Sequence, residues 1–183
     1  LKKKSKSLKI AFYVSGKATR LRKILNLREN SLVESTVLVI SDNKKNSELE
    51  ELLIKKGLKY CSVDYQSLNG DKNIELSNII LSEFDKEGVD YCFCFGDHIL
   101  KGELLKKYKN RIINFHPSLL PAFKGRNAID KAAENGAFIL GNTAHFISEE
   151  LDGGPIIMQS ITHLKSFIEN GYDEVLDLQI NMI

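Results

Sequence analysis

Short, β-branched apolar runs recur along this chain, separated by polar amphipathic stretches, and that alternation limits the fold more than any other feature. LKIAFYV (8–14), TVLVIS (36–41), LKYCSV (58–63), VDYCFCF (89–95) and RIINF (111–115) have the length and composition of buried strands. Helices are expected between them at about 20–29, 46–56 and 72–87, the last with apolar residues at Ile74, Leu76, Ile79, Ile80, Leu81 and Phe84. Strands alternating with helices give an α/β fold, a Rossmann-like and mostly parallel sheet with helices on both faces. After Pro121 the rhythm changes. One helix at 127–136 precedes ILGNTAHFI (139–147) and GPIIMQSITHL (154–164), read as an antiparallel C-terminal extension, and a short helix is expected near 173–182.

A length of 183 residues suits one well-cored domain, so 1–183 is read as a single domain with a basic tail at 1–7. Lys plus Arg number 26 against 24 acids, a formal +2, which gives no global field for nucleic acid. The terminal LKKKSKSLK is read as a solvated tail in preference to a nucleic-acid arm. No apolar run approaches the ~18 residues of a membrane span, and no secretory pattern opens the chain. The expectation is a cytoplasmic protein whose partners are small molecules, neither membrane nor nucleic acid, existing as a monomer or a homodimer. Cys61, Cys92 and Cys94 leave one thiol odd and two on one face of an apolar run, which suits reduced thiols. Cys92 and Cys94 have no second ligand pair, so no metal site is expected.

In an open α/β sheet ligands bind at the carboxyl ends of the strands, which selects the loops 15–20, 42–46, 64–70, 96–100 and 114–125. Ser15, Gly16, Lys17, Ala18, Thr19 and Arg20 form a strand-to-helix turn where a phosphate could meet backbone N–H groups and two cations, although an ordinary turn reads the same way. RIINFHPSLLPAFKG (111–125) is more specific. Asn114 and His116, two residues apart on a strand, share a face at the sheet's rim, and Pro117 and Pro121 stiffen the chain after them. A strand-end Asn beside a turn His is the plainer alternative. Downstream, NTAHFISEELDGGPIIMQ (142–159) puts His145 in an apolar strand and Asp152 in a tight Asp-Gly-Gly-Pro turn. Together the two stretches hold an amide, an imidazole and a carboxylate, the groups needed to move an acyl unit and manage its protons.

INFHPSLLPAFKG, AIDKAAENG, GNTAHFISEELDGGPIIMQ and the upstream YCFCFGDHILKGELLKKY resemble the folate-dependent formyltransferase family over roughly residues 8–165, closest to its phosphoribosylglycinamide branch. The resemblance implies that Asn114, His116 and Asp152 are catalytic and that 10-formyltetrahydrofolate is the donor. An amine would attack the formyl carbon, Asn114 and protonated His116 would hold the oxyanion, and Asp152 would keep the imidazolium populated and relay the proton. It also implies that folate lies against Asp97, His98, Ile99 and Leu100 and against His145, Ile147 and Glu150, largely through backbone groups. The acceptor's phosphate would rest on residues 15–20.

Three departures stand out. Asp97-His98 replaces a common Met-Arg pair, SGKATR replaces a Ser-Gly-x-Gly-Ser-Asn loop, and the chain stops at LQINMI, before an acidic residue that family members place on the acceptor ribose. Glycinamide ribonucleotide in purine biosynthesis is the first acceptor considered. A nucleotide-linked amino sugar, hydrolysis of formyltetrahydrofolate, and a non-catalytic folate-binding relative are the alternatives.

Overall fold

The computed structural model describes residues 7–27, 31–44, 46–163, 165 and 172–183. Residues 1–6 of the basic tail, residues 28–29 of the first expected helix and residue 164 of the last expected strand lie outside the described residues. The chain divides into two compact units, Leu1–Arg111 and Ile112–Ile183.

In the first unit β1 (Ile10–Val14), β2 (Thr36–Ser41), β3 (Tyr60–Ser62) and β4 (Tyr91–Phe95) lie in the order β3-β2-β1-β4, with every pairing parallel. β1 is buried along its whole length. Its unbroken apolar sequence is what a strand covered on both faces requires. Among the described residues of this unit the α-helices are α1 (Thr19–Leu25), α2 (Ser31–Ser35), α3 (Ser47–Lys55), α4 (Lys72–Glu87) and α5 (Glu103–Lys107). α4 shows why its bounds were readable. The Asp71 carboxylate accepts from Asn73 N and Ile74 N at its start, Gly88 closes it at φ 65°, and Leu76, Ile80 and Phe84 form one buried stripe at four-residue spacing. α2 and α5 were not expected. Each has five residues, too few to show a periodic stripe.

In the second unit β5 (Ile112–His116), β6 (Ile139–Phe146) and β7 (Ile156–His163) form antiparallel pairs in the order β5-β6-β7, with α6 (Ala128–Glu134) and α7 (Tyr172–Ile180). The register sets Asn114 opposite His145 and His116 opposite Thr143. All four therefore share one face. On the other face, Gln179 of α7 donates to Asn142 Oδ1 at 2.8 Å. Cys92 and Cys94 are buried in β4 as free thiols and Cys61 is half-buried. Burial pushes the thiols of Cys92 and Cys94 up, that of Cys94 to about 11, so neither is primed as a nucleophile at neutral pH.

Candidate active site

β5 delivers Asn114 and His116 to its carboxyl end, and the following segment is pinned to β6. Thr143 Oγ1 donates to Ser118 O at 2.7 Å and accepts from Leu120 N at 3.0 Å, while Gln159 reaches both Thr143 Oγ1 and Leu120 O. The Leu120–Pro121 peptide is cis. The return of the chain places two acceptors around His116. Nε2 lies 2.9 Å from Phe123 O, and Nδ1 lies 3.4 Å from Asp152 Oδ2. A carbonyl and a carboxylate can only accept, so each contact is satisfied when its nitrogen carries a proton. The arrangement suits an imidazolium.

Asp152 is the hub of the cluster. Its side chain is 7% exposed, Gly125 N donates to Oδ2 at 2.7 Å, and Oδ1 comes within 3.6 Å of His145 Nε2. His145 Nδ1 faces Phe146 O at 3.1 Å, which puts the ring proton on Nδ1 and leaves Nε2 as an acceptor. Asn114 Nδ2 fills it at 3.3 Å. This relay orients the Asn114 amide and leaves its second N–H free of His145. Burial pulls the His145 pKa below 6.5, against the raising effect of the Phe146 carbonyl and of Asp152. His145 is thus neutral, its approach to Asp152 is no ion pair, and the carboxylate's charge falls to His116 and the Gly125 amide.

Two of the partners of His116 sit on left-handed backbone, Phe123 at φ 54° and Asp152 at φ 50°. Such a conformation costs a non-glycine residue roughly 1–2 kcal/mol and persists where surrounding contacts hold it. After Asp152 the turn needs Gly154, since a Cβ there would run into Phe146 O. Sequence reasoning brought Asn114, His116 and Asp152 together but did not find Phe123 O, Gly125 N–H or the bond from Asn114 to His145. Only the last had a readable signal, the two-residue alternation that pairs Asn114 with His145 once the hairpin register is known.

The other expected residues are placed as follows. In the first unit Ser15 Oγ donates to Asp42 Oδ2 and accepts from Asp97 N, so its one proton is used within the protein. Gly16 O accepts from Asn46 Nδ2 at 2.9 Å, and Ala18 is left-handed at φ 53°. A cleft of about 390 Å³ opens beside this loop, lined by Gly16, Lys17, Thr19, Asn43, Asn46 and Glu48 among others. Arg20 is not among its lining residues and lies over the Phe95 ring at 4.7 Å. Arg22, not foreseen, lines the cleft but is engaged by Lys17 O, Glu48 and Asn46. His98 stacks on Tyr65, Ile99 is exposed and Leu100 is buried. In the second unit Ile147 N donates to Ile112 O, which removes that N–H from any ligand, and Glu150 is paired with Lys124. Among the described residues no cluster of three or more His, Cys, Asp or Glu could hold a metal ion, and no helix is long and apolar enough to cross a membrane.

Comparison with solved structures defines the class. The crystal structure of glycinamide ribonucleotide transformylase 1 from Symbiobacterium toebii matches with a TM-score of 0.78 over 95% of this chain and 84% of that one, at 27% identity. The fold is therefore the Rossmann-like α/β fold with antiparallel C-terminal strands that the sequence led us to expect. Residues 8–173 match the family described as formyl transferase, and the chain belongs to that family. A trifunctional purine biosynthetic protein adenosine-3 of Gallus gallus is 31% identical over 159 residues, 86% of this chain and 16% of that protein. A formyltetrahydrofolate deformylase of Haemophilus influenzae is 31% identical over 157 residues, 85% of this chain and 55% of that one. The chain thus spans a small part of the first relative's length and about half of the second's.

Proposed function

We propose that the chain transfers the formyl group of 10-formyltetrahydrofolate to a primary amine, glycinamide ribonucleotide, in purine biosynthesis. The observation that carries this reading is the packing of Asn114, His116 and Asp152 around one point of β5 in a chain of the formyl transferase family. The amine attacks the formyl carbon, and the negative charge that develops on the formyl oxygen is met by the free N–H of Asn114 and by the imidazolium of His116. One such donor in a site of low dielectric contributes about 3–4 kcal/mol to the barrier's lowering. For His116 to donate to the oxyanion, a proton now shared with Phe123 O or Asp152 must swing toward substrate. Asp152 balances the imidazolium and takes up the proton the amine loses, and the intermediate collapses by breaking the bond from the formyl carbon to the folate nitrogen, which leaves as tetrahydrofolate with that proton passed on to it directly or through water.

Proposed donor contacts are Asp97, His98, Ile99 and Leu100 in the first unit and His145, Ile147 and Glu150 in the second, with Ile147 limited to its carbonyl and side chain. Proposed acceptor contacts are residues 15–20, with Lys17 as the cation and the backbone of Gly16 to Thr19 as donors. The chain is proposed to act as one formyltransferase domain in the cytoplasm. A second reading, hydrolysis of the donor with water as acceptor, is favoured by one specific observation, the 31% identity to a formyltetrahydrofolate deformylase.

The test is release of tetrahydrofolate from 10-formyltetrahydrofolate with and without glycinamide ribonucleotide. Release that requires the ribonucleotide and yields its formylated product is expected. Equal release in its absence would replace the transferase reading with the hydrolase one.

A further inference from the structure

The first unit carries a second cleft, about 420 Å³, whose walls include Ser15, Asp42, Asp64, Tyr65, Asp97 and His98. Asp42 is the first residue after β2, and its side chain is only 4% exposed. Tyr13 Oη donates to Oδ2 at 2.7 Å, Ser15 Oγ donates to the same oxygen, and His98 Nε2 faces it at 3.7 Å. Oδ1 has no hydrogen-bond partner among the described residues, in a carboxylate otherwise held rigidly on its opposite side. Oδ1 is not a sealed, unsatisfied atom, so it is an acceptor that a ligand hydroxyl can reach in place of water.

The rest of the cleft says what kind of donor. Tyr65 and His98 are stacked at a centroid separation of 3.5 Å and 12° between planes, a flat wall beside the carboxylate. Asp42, Asp64 and Asp97 line the cleft with Lys44 as the one lysine, and Lys44 is within 3.7 Å of Asp64. That balance repels anions and admits neutral hydrogen-bond donors. The residues come from beyond the ends of β1, β2, β3 and β4, and in the order β3-β2-β1-β4 the direction of strand succession reverses between β1 and β4. A carboxylate after the second strand, beside such a switch point, is where open parallel sheets take a ribose hydroxyl.

We propose that this cleft binds the ribose of a nucleoside, with Asp42 Oδ1 accepting a ribose hydroxyl and the Tyr65–His98 stack packing against the ligand's ring. Ser15, Asp97 and His98 are shared with the contacts proposed above for formyl transfer, but the ribose contact at Asp42 does not rest on that reading. Gly96 contributes to its shape, because a Cβ there would strike the Tyr13 ring that holds Asp42.

The test is calorimetric titration of the full chain with adenosine and with 2′,3′-dideoxyadenosine, which keeps the base and lacks the hydroxyls. Adenosine is expected to bind at least about tenfold tighter than the dideoxy compound. Asp42→Asn, which can still accept from Tyr13 and Ser15 but turns an N–H toward the cleft, is expected to erase that preference while the melting temperature reports its fold. No binding of adenosine at millimolar concentration, or equal affinity for the two nucleosides, would overturn the proposal on the wild-type chain alone. A folded Asp42→Asn protein that keeps the preference would overturn the role of Asp42.

Discussion

The Asn114–His116–Asp152 cluster and the 15–20 loop were both singled out for chemistry, and the structure treats them differently. In the cluster each side chain ends on another member or on a backbone group that fixes it: Asn114 on His145, His116 on Phe123 O and Asp152, Asp152 on the Gly125 amide. In the loop the groups that looked available are spent elsewhere. Ser15 bridges Asp42 and the Asp97 amide, and Arg20 covers Phe95. The lesson is physical. Strand periodicity fixes where a side chain points, whereas a short turn leaves its polar groups to whatever neighbours the tertiary fold supplies.

The sharpest way to break this contrast is His116→Ala. If the cluster is the chemical centre, formyl transfer should fall by about 10²–10⁴-fold with the melting temperature little changed, as steady-state rates beside thermal melts would show. Activity within about tenfold of wild type would make the cluster as incidental as an ordinary turn. Asp152→Asn should cost less, on the order of 10²-fold. The loss should fall on the rate of the chemical step in single-turnover measurements while the affinity for 10-formyltetrahydrofolate changes little. A single-turnover rate equal to wild type would leave Asp152 a turn residue.

On the loop side the expected effects are smaller. Lys17 is the cation lining the 390 Å³ cleft that no ion pair engages among the described residues, so Lys17→Ala should raise the KM for a phosphorylated amine by about tenfold, near 1.4 kcal/mol. Arg20→Ala should change that KM by less than about twofold, because its guanidinium already lies over Phe95. Equal effects of the two substitutions would erase the distinction between them.

The smallest effect is on stability. Burial lowers the His145 pKa below 6.5, so in acid the unfolded chain takes up a proton there before the folded chain does. The contribution is therefore fully present above about pH 6.5 and is lost as pH falls below it. His145→Gln should flatten the dependence of melting temperature on pH below about 6.5. An unaltered slope would mean that His145 titrates as it does in the unfolded chain.

Particular residues show how much of this was legible. The apolar runs announced β1, β2 and β4 as strands of a parallel sheet and RIINF announced β5, while the spacing of Leu76, Ile80 and Phe84 announced α4. α2 and α5 carried no such mark. In the site, Asn114 and His116 were readable from two-residue spacing, and Asp152 from its Asp-Gly-Gly-Pro turn and the resemblance. Phe123 O and Gly125 N–H were not, since a backbone group has no letter of its own. Asp42 and Tyr13 were also missed as partners, although 42–46 had been marked as a loop to inspect: their bond joins residues 29 apart in sequence.

The central claim is that His116 and Asp152 act as one unit, and a double-mutant cycle on single-turnover formyl transfer tests it most directly. Wild type, His116→Ala, Asp152→Asn and the double variant are compared at saturating 10-formyltetrahydrofolate and glycinamide ribonucleotide. The double variant is expected to be slower than His116→Ala by a clearly smaller factor than Asp152→Asn alone costs, because without the imidazolium the carboxylate keeps only its part in taking up the amine's proton. Losses that multiply would show two independent contributions and contradict it.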